Sequence, residues 1–107
     1  MIKITFTIGI GKDKDGKAIP QEDQVLFSKR AKAMVTREFG GSSSHIVEGE
    51  WVSPKGEIVE ERSLVISTTT DSPGNRYTAK ELARGFRVLF NQDCVMVTRE
   101  VVQMELI

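Results

Sequence analysis

Hydrophobic and polar residues alternate strictly at the start of the chain. Ile2, Ile4, Phe6, Ile8 and Ile10 interleave with Lys3, Thr5, Thr7 and Gly9. Successive side chains of a strand leave it on opposite faces, so this pattern predicts a strand with one buried face. Gly11 to Pro20 reads as a polar loop. From Gln21 to Phe39 the period becomes helical: Phe27, Ala31, Met34 and Val35 fall on one face, and Gly40-Gly41 supplies a stop. Ser42 to Ser44 reads as a short loop. His45 to Val52 is predicted as a second strand, Ser53-Pro54-Lys55-Gly56 as a turn, and Glu57 to Thr69 as the returning strand of a hairpin. Asp71 to Asn75 is rich in turn formers. Thr78 and Glu81 match the S/T-x-x-E capping box, and Ala79, Leu82, Phe86 and Leu89 share a face of the helix that follows. Asn91-Gln92-Asp93 breaks that helix, and Cys94 to Val102 is predicted as the last strand.

The predicted order is β-α-β-β-α-β over a single domain, residues 1–107. Right-handed crossovers then give an α+β ferredoxin-like βαββαβ sandwich, one four-stranded antiparallel sheet with two helices on one face. The last two strands are apolar on both parities. Val95 and Val97 oppose Cys94 and Met96, while Val59 and Val65 oppose Ile58, Leu64 and Ile66. A bare sheet face does not need this, so the second face is expected to be buried against another copy of the chain.

Composition narrows the class. Fifteen basic and fifteen acidic side chains give zero net charge, which argues against nucleic acid as the main partner. No apolar run approaches the roughly 20 residues of a membrane-spanning helix, so no membrane partner is expected. The single cysteine, Cys94, excludes an internal disulfide or a cysteine-built zinc site and fits a reducing cytosol. The chain opens on a strand pattern with no signal peptide visible, and a cytoplasmic location is expected.

Most motif-like stretches have a plainer reading. Gly11 to Ala18 nearly matches G-x-x-x-x-G-K-[ST], but Ala18 lacks the magnesium-holding hydroxyl, and Asp13 and Asp15 would repel phosphates. A solvated charged turn explains the stretch, which also lacks the later ligands of a calcium loop. The only histidine, His45, excludes a paired-histidine metal site and reads as a sheet-edge residue. Cys94 reads as a small core residue. Ser42, Ser43 and Ser44 lack a nucleophile-elbow setting. No metal site and no cofactor are expected. Trp51, the only tryptophan, either closes the core or stacks on a flat or cationic ligand.

Glu60 and Glu61 open the run Arg62-Ser63-Leu64-Val65-Ile66-Ser67. Strand geometry sends the two carboxylates to opposite faces. A carboxylate at the rim of a sheet can grip a cation or a pair of hydroxyls. Adjacent charges at a strand start are also commonly just solvated, and the pattern alone leaves both readings open.

The run Glu60-Glu61-Arg62-Ser63-Leu64-Val65 resembles the acidic pair, with basic and hydroxyl residues, that opens a central strand in the phage S-adenosylmethionine lyases, long called S-adenosylmethionine hydrolases. Ala79 to Leu89, followed by Gln92-Asp93-Cys94-Val95-Met96-Val97, is similar to that family's second helix and last strand. Trp51 falls where the family tends to carry a tyrosine, and tryptophan offers no hydroxyl. The resemblance covers roughly residues 40–100, in a shorter chain. It implies a PII-like homotrimer with sites between subunits, in the host cytoplasm for a phage-encoded protein. It implies cleavage of S-adenosylmethionine to methylthioadenosine and homoserine lactone by attack of the substrate's own carboxylate, with no cofactor. On that reading Glu61, with Glu60 as the alternative, is the catalytic carboxylate that anchors the ribose. Gly9 and Gly11 let backbone approach the adenine, and Trp51 walls the pocket. The rival expectation is a non-catalytic ferredoxin-like module that binds a small ligand or another protein.

Overall fold

The computed structural model describes all 107 residues. The elements are β1 (Ile2–Gly9), α1 (Gln21–Phe39), β2 (Ser43–Val52), β3 (Ile58–Thr70), α2 (Asn75–Leu89) and β4 (Met96–Val101). The strands form one antiparallel sheet in the order β2-β3-β1-β4. This is the ferredoxin-like βαββαβ sandwich.

The alternation in β1 sets the core. Ile4, Phe6, Ile8 and Ile10 are buried, and register places Leu64 opposite Ile8 and Ile66 opposite Phe6 on the same face. Both helices cover that face. Ala31 and Val35 come down from α1, and Ala79, Leu82, Ala83 and Phe86 from α2. Phe6 meets Phe86 edge-on at 5.5 Å, and Phe27 meets Phe90 edge-on at 5.7 Å, the geometry that ring quadrupoles favour.

Helix α1 has the bounds its periodicity predicts. Pro20 precedes it, Glu22 and Asp23 lie in its positive first turn, and Gly40 ends it at φ 88°. The β2–β3 turn places Gly56 at φ 81°, a conformation that glycine adopts without strain.

Two expectations are corrected. The Thr78–Glu81 capping box does not form, because α2 starts earlier: Gly74 caps it at φ 77°, and Thr78 is already hydrogen-bonded into the helix through Gly74 O. Glu81 pairs instead with Arg84. Cys94 is exposed rather than a core residue, since β4 begins only at Met96. The open face of the sheet is mixed. Its middle carries Thr5, Thr7, Ser63, Ser67 and Thr98, which share a face by register, and the Thr5 and Ser67 hydroxyls lie 3.4 Å apart. The second apolar parity lies on the same open face, with Val59, Val65 and Met96, and Val47 and Trp51 beside them.

Phe86→Ala is expected to lower stability by about 3–5 kcal/mol, through a void between β1 and α2. A shift in the midpoint of urea unfolding, at unchanged slope, measures this. A loss below about 1 kcal/mol would show that this contact does not hold the layers together.

Candidate functional site

Strand β3 has 13 residues and β1 only 8. Strand β1 pairs with Ser63 to Thr70, and Ile10 N–H still donates to Arg62 O at 2.9 Å, so Ile58 to Glu61 project past its end, supported by β2 alone. The notch between this projecting hairpin and the Gly11–Gly16 loop is a cleft of about 520 Å³. Gly9, Gly11, Trp51, Glu60 and Glu61 all line it. The five residues selected from sequence are therefore brought together, across a separation of more than 50 positions.

Glu61 lies on the open face of the sheet, opposite Gly49 on β2. Its side chain reaches back across β1: a β-carbon placed on Gly9 would stand 3.1 Å from Glu61 Oε1. Gly9 and Gly49 thus leave bare backbone on either side of the carboxylate. Glu60 points to the helix-bearing face, where it directly opposes Glu50. Both glutamates are exposed. Trp51, 49% exposed, shares the open face with Glu61 two positions along the ladder. It walls the cleft and does not close the core. Gly11 lies against Arg62, with a built β-carbon 3.4 Å from Arg62 Cβ.

Two residues that sequence reasoning assigned no role shape the cleft. Gln92 Nε2 donates to Gly9 O at 2.9 Å and to Lys12 O at 2.7 Å, tying the α2–β4 connection to the end of β1. Its Oε1 sits 3.5 Å from the β-carbon position of Gly9, so amide and carboxylate flank the same glycine. Arg62 donates from Nη1 to Glu48 Oε1 at 2.9 Å, while its buried Nε has no partner. Four carboxylates (Asp13, Glu48, Glu60, Glu61) line the cleft against three cations (Lys12, Lys14, Arg62). That balance suits a ligand with a small positive charge.

Asp13 organises the loop. Its Oδ1 accepts the backbone N–H groups of Asp15 and Lys17, both at 2.9 Å, and its Oδ2 accepts Asn91 Nδ2 at 3.3 Å. The loop's amides are therefore engaged by their own carboxylate, which explains why the phosphate-loop spacing makes no phosphate cradle. The Lys17 N–H above all, then those of Asp15 and Asn91, hold the Asp13 carboxyl below its ordinary value of 3.8.

No family model and no curated protein sequence matches this chain. Solved structures do. A phage SAM lyase in its apo state superposes with a TM-score of 0.65 at 19% identity, over 92% of this chain and 78% of that one. A phage SAM lyase in complex with S-methyl-5'-thioadenosine gives 0.66 at 18% identity, over 92% and 79%. CutA of Pyrococcus horikoshii gives 0.56 at 15% identity, over 98% and 87%. At this identity the likeness is one of fold. The fold expected from the acidic-pair resemblance is the fold the chain adopts.

The sign of the Asp13 effect fixes its pH dependence. A depressed folded pKa adds stability above the unfolded value, and that stability is lost as pH falls through the folded pKa. The Asp15 and Lys17 amide resonances are expected to titrate together with a midpoint below 3.8, and Asp13→Asn to abolish the titration. A midpoint at or above 3.8 would show that the carboxyl does not hold the loop.

Proposed function

We propose that the protein is an S-adenosylmethionine lyase. The observation that carries this reading is the cleft at the end of β1, where Glu61 crosses Gly9 beside Trp51, in a fold shared with phage SAM lyase structures. The reaction needs little from the protein. The substrate carboxylate attacks its own γ-carbon, and the carbon–sulfur bond breaks with its electron pair passing to sulfur. Neutral methylthioadenosine leaves and homoserine lactone remains. No proton, water or redox equivalent is exchanged, so neither a base nor a cofactor is required.

The work lies in bending the substrate so that carboxylate and γ-carbon meet. Glu61 is the group placed to accept the two ribose hydroxyls, because its carboxylate stands over bare backbone at Gly9. Glu60 is the alternative anchor, reaching the same cleft from the other face. The flat strip of Gly9 and Gly11 admits the adenine, and Trp51 closes one side. A grip on the sulfonium tighter than the grip on the neutral thioether would hold the ground state back. Carboxylates exposed to water, rather than buried against the sulfur, meet that requirement. The catalytic unit is read as a homotrimer acting on a small molecule in the cytoplasm.

A second reading, a non-catalytic ferredoxin-like module, draws on the openness of the cleft in one chain. Incubation with S-adenosylmethionine separates the two: methylthioadenosine and homoserine lactone are expected in equal amounts. Folded protein that binds the nucleoside without product is a sensor, and folded protein that does neither is an interaction module. Glu61→Gln is expected to lower turnover about 10- to 100-fold, the worth of one charged hydrogen-bonding group, with the circular dichroism spectrum unchanged. Undiminished turnover would move the ribose anchor to Glu60.

A further inference from the structure

Helix α2 is unbalanced in charge. It carries Arg76, Lys80, Arg84 and Arg87 against a single acid, Glu81. Steps of four, four and three residues set these cations in one row along a helix face, each beside another of like charge. Such neighbours repel, and only Arg84 has a carboxylate to offset it, that of Glu81. Arg99 of β4 lies beside the start of the row, where its Nη2 donates to Asn75 Oδ1 at 2.6 Å. A third of the chain's fifteen basic side chains are thus gathered at one place in a protein of zero net charge.

The five cations line a groove of about 610 Å³ between α2 and β4, and no carboxylate lines it with them. The rest of the lining is small and apolar, with Ala79 and Ala83 on α2 and Val95 and Val97 beside them. Alanine at two successive turns of the helix leaves room that larger side chains would fill. The groove shares no residue with the cleft at the end of β1. It is a second site, and it stands apart from the lyase reading.

We propose that this groove binds the oligophosphate chain of a small molecule, such as a nucleoside triphosphate or an inorganic oligophosphate carries. Four of its five cations are arginines, whose planar forks bind phosphoryl oxygens two at a time. The row from Arg76 to Arg87 rises about 16 Å along the helix axis. One phosphate cannot span it, whereas several phosphoryl groups in line engage successive cations. The volume also falls in the range of small-molecule sites, about 300–1,000 Å³. Nucleic acid fits less well: no aromatic residue lines the groove to stack bases, and a chain of zero net charge does not attract a long polyanion.

Titration calorimetry of the full chain at low ionic strength tests this, with sodium tripolyphosphate, cytidine triphosphate and orthophosphate as probes. Cytidine keeps the probe's base distinct from the adenine assigned to the cleft. Both oligophosphates are expected to bind about tenfold or more tighter than orthophosphate, and to weaken as salt rises. Tripolyphosphate binding as tightly as the nucleotide marks the phosphate chain itself as the ligand, and tighter binding of cytidine triphosphate marks a nucleotide. Lys80→Gln with Arg87→Gln is expected to weaken binding about 100-fold, roughly tenfold for each charged hydrogen-bonding group. Glu81→Gln, which frees Arg84, is expected to tighten it several-fold, a gain that misfolding cannot imitate. If neither oligophosphate binds, the proposal is overturned and the row is a solvated helix face. Binding that ignores both variants overturns it as well, as does orthophosphate binding equally tightly. A polyglutamate peptide or a single-stranded oligonucleotide that binds more tightly than tripolyphosphate also overturns it, and makes the groove a surface for macromolecules.

Discussion

A difference in strand length governs this molecule. Strand β3 outruns β1 by five residues, and every feature of the candidate site follows. Where β1 is present, its side chains and the two helices bury one face of β3. Where β1 stops, the hairpin continues without cover, and side chains that would be core elsewhere are exposed, as Ile58 is at 69%. The notch left beside the hairpin is the cleft. Gln92 seals its inner end by spending its amide hydrogens on the last carbonyls of β1 and its loop. A sheet of equal strands would have a flat rim there and nothing to hold a ligand.

The architecture was legible in the sequence because its signals are local. The period of two in Ile2 to Ile10, the switch to helical spacing after Pro20, and glycine at the α1 stop each act over a few residues. The failures were also local patterns, overruled by backbone conformation. Thr78-x-x-Glu81 looks like a cap, yet Gly74 reaches the left-handed region at no steric cost and starts the helix four residues earlier. Cys94 shares the alternation of Val95 to Val97, yet the turn at Asn91, with φ 51°, delays the strand past it.

The candidate site divides the same way. The Glu60–Glu61 pair is visible as charge at a strand start, and Trp51 as a lone aromatic. That Gly9 and Glu61 meet is not visible, because it depends on a diagonal contact between β1 and β3 across 52 positions. Gln92 read as a helix breaker, and its role comes from carbonyls 80 and more residues away. Asp13 was noticed for what it would repel. Its actual work is to collect its own loop's amides, which only the folded turn displays.

On the proposed reading, the chemistry turns on the exposure of the carboxylates. In a single chain Glu60 and Glu61 stand in water, where Coulomb interactions over a few ångströms are worth only about 1 kcal/mol. Such groups orient a substrate weakly, and a weak field tolerates the loss of sulfonium charge as the carbon–sulfur bond breaks. They also leave the substrate free to unfold and the cleft open to solvent. A substrate that filled the cleft would itself remove water from the rim and lower the local dielectric. The same carboxylates would then fix the ribose more firmly, and the reaction's own carboxylate would be held to its short path. On the proposed lyase reading, with no base, metal or covalent nucleophile in play, the rate would have to come from confinement of the substrate.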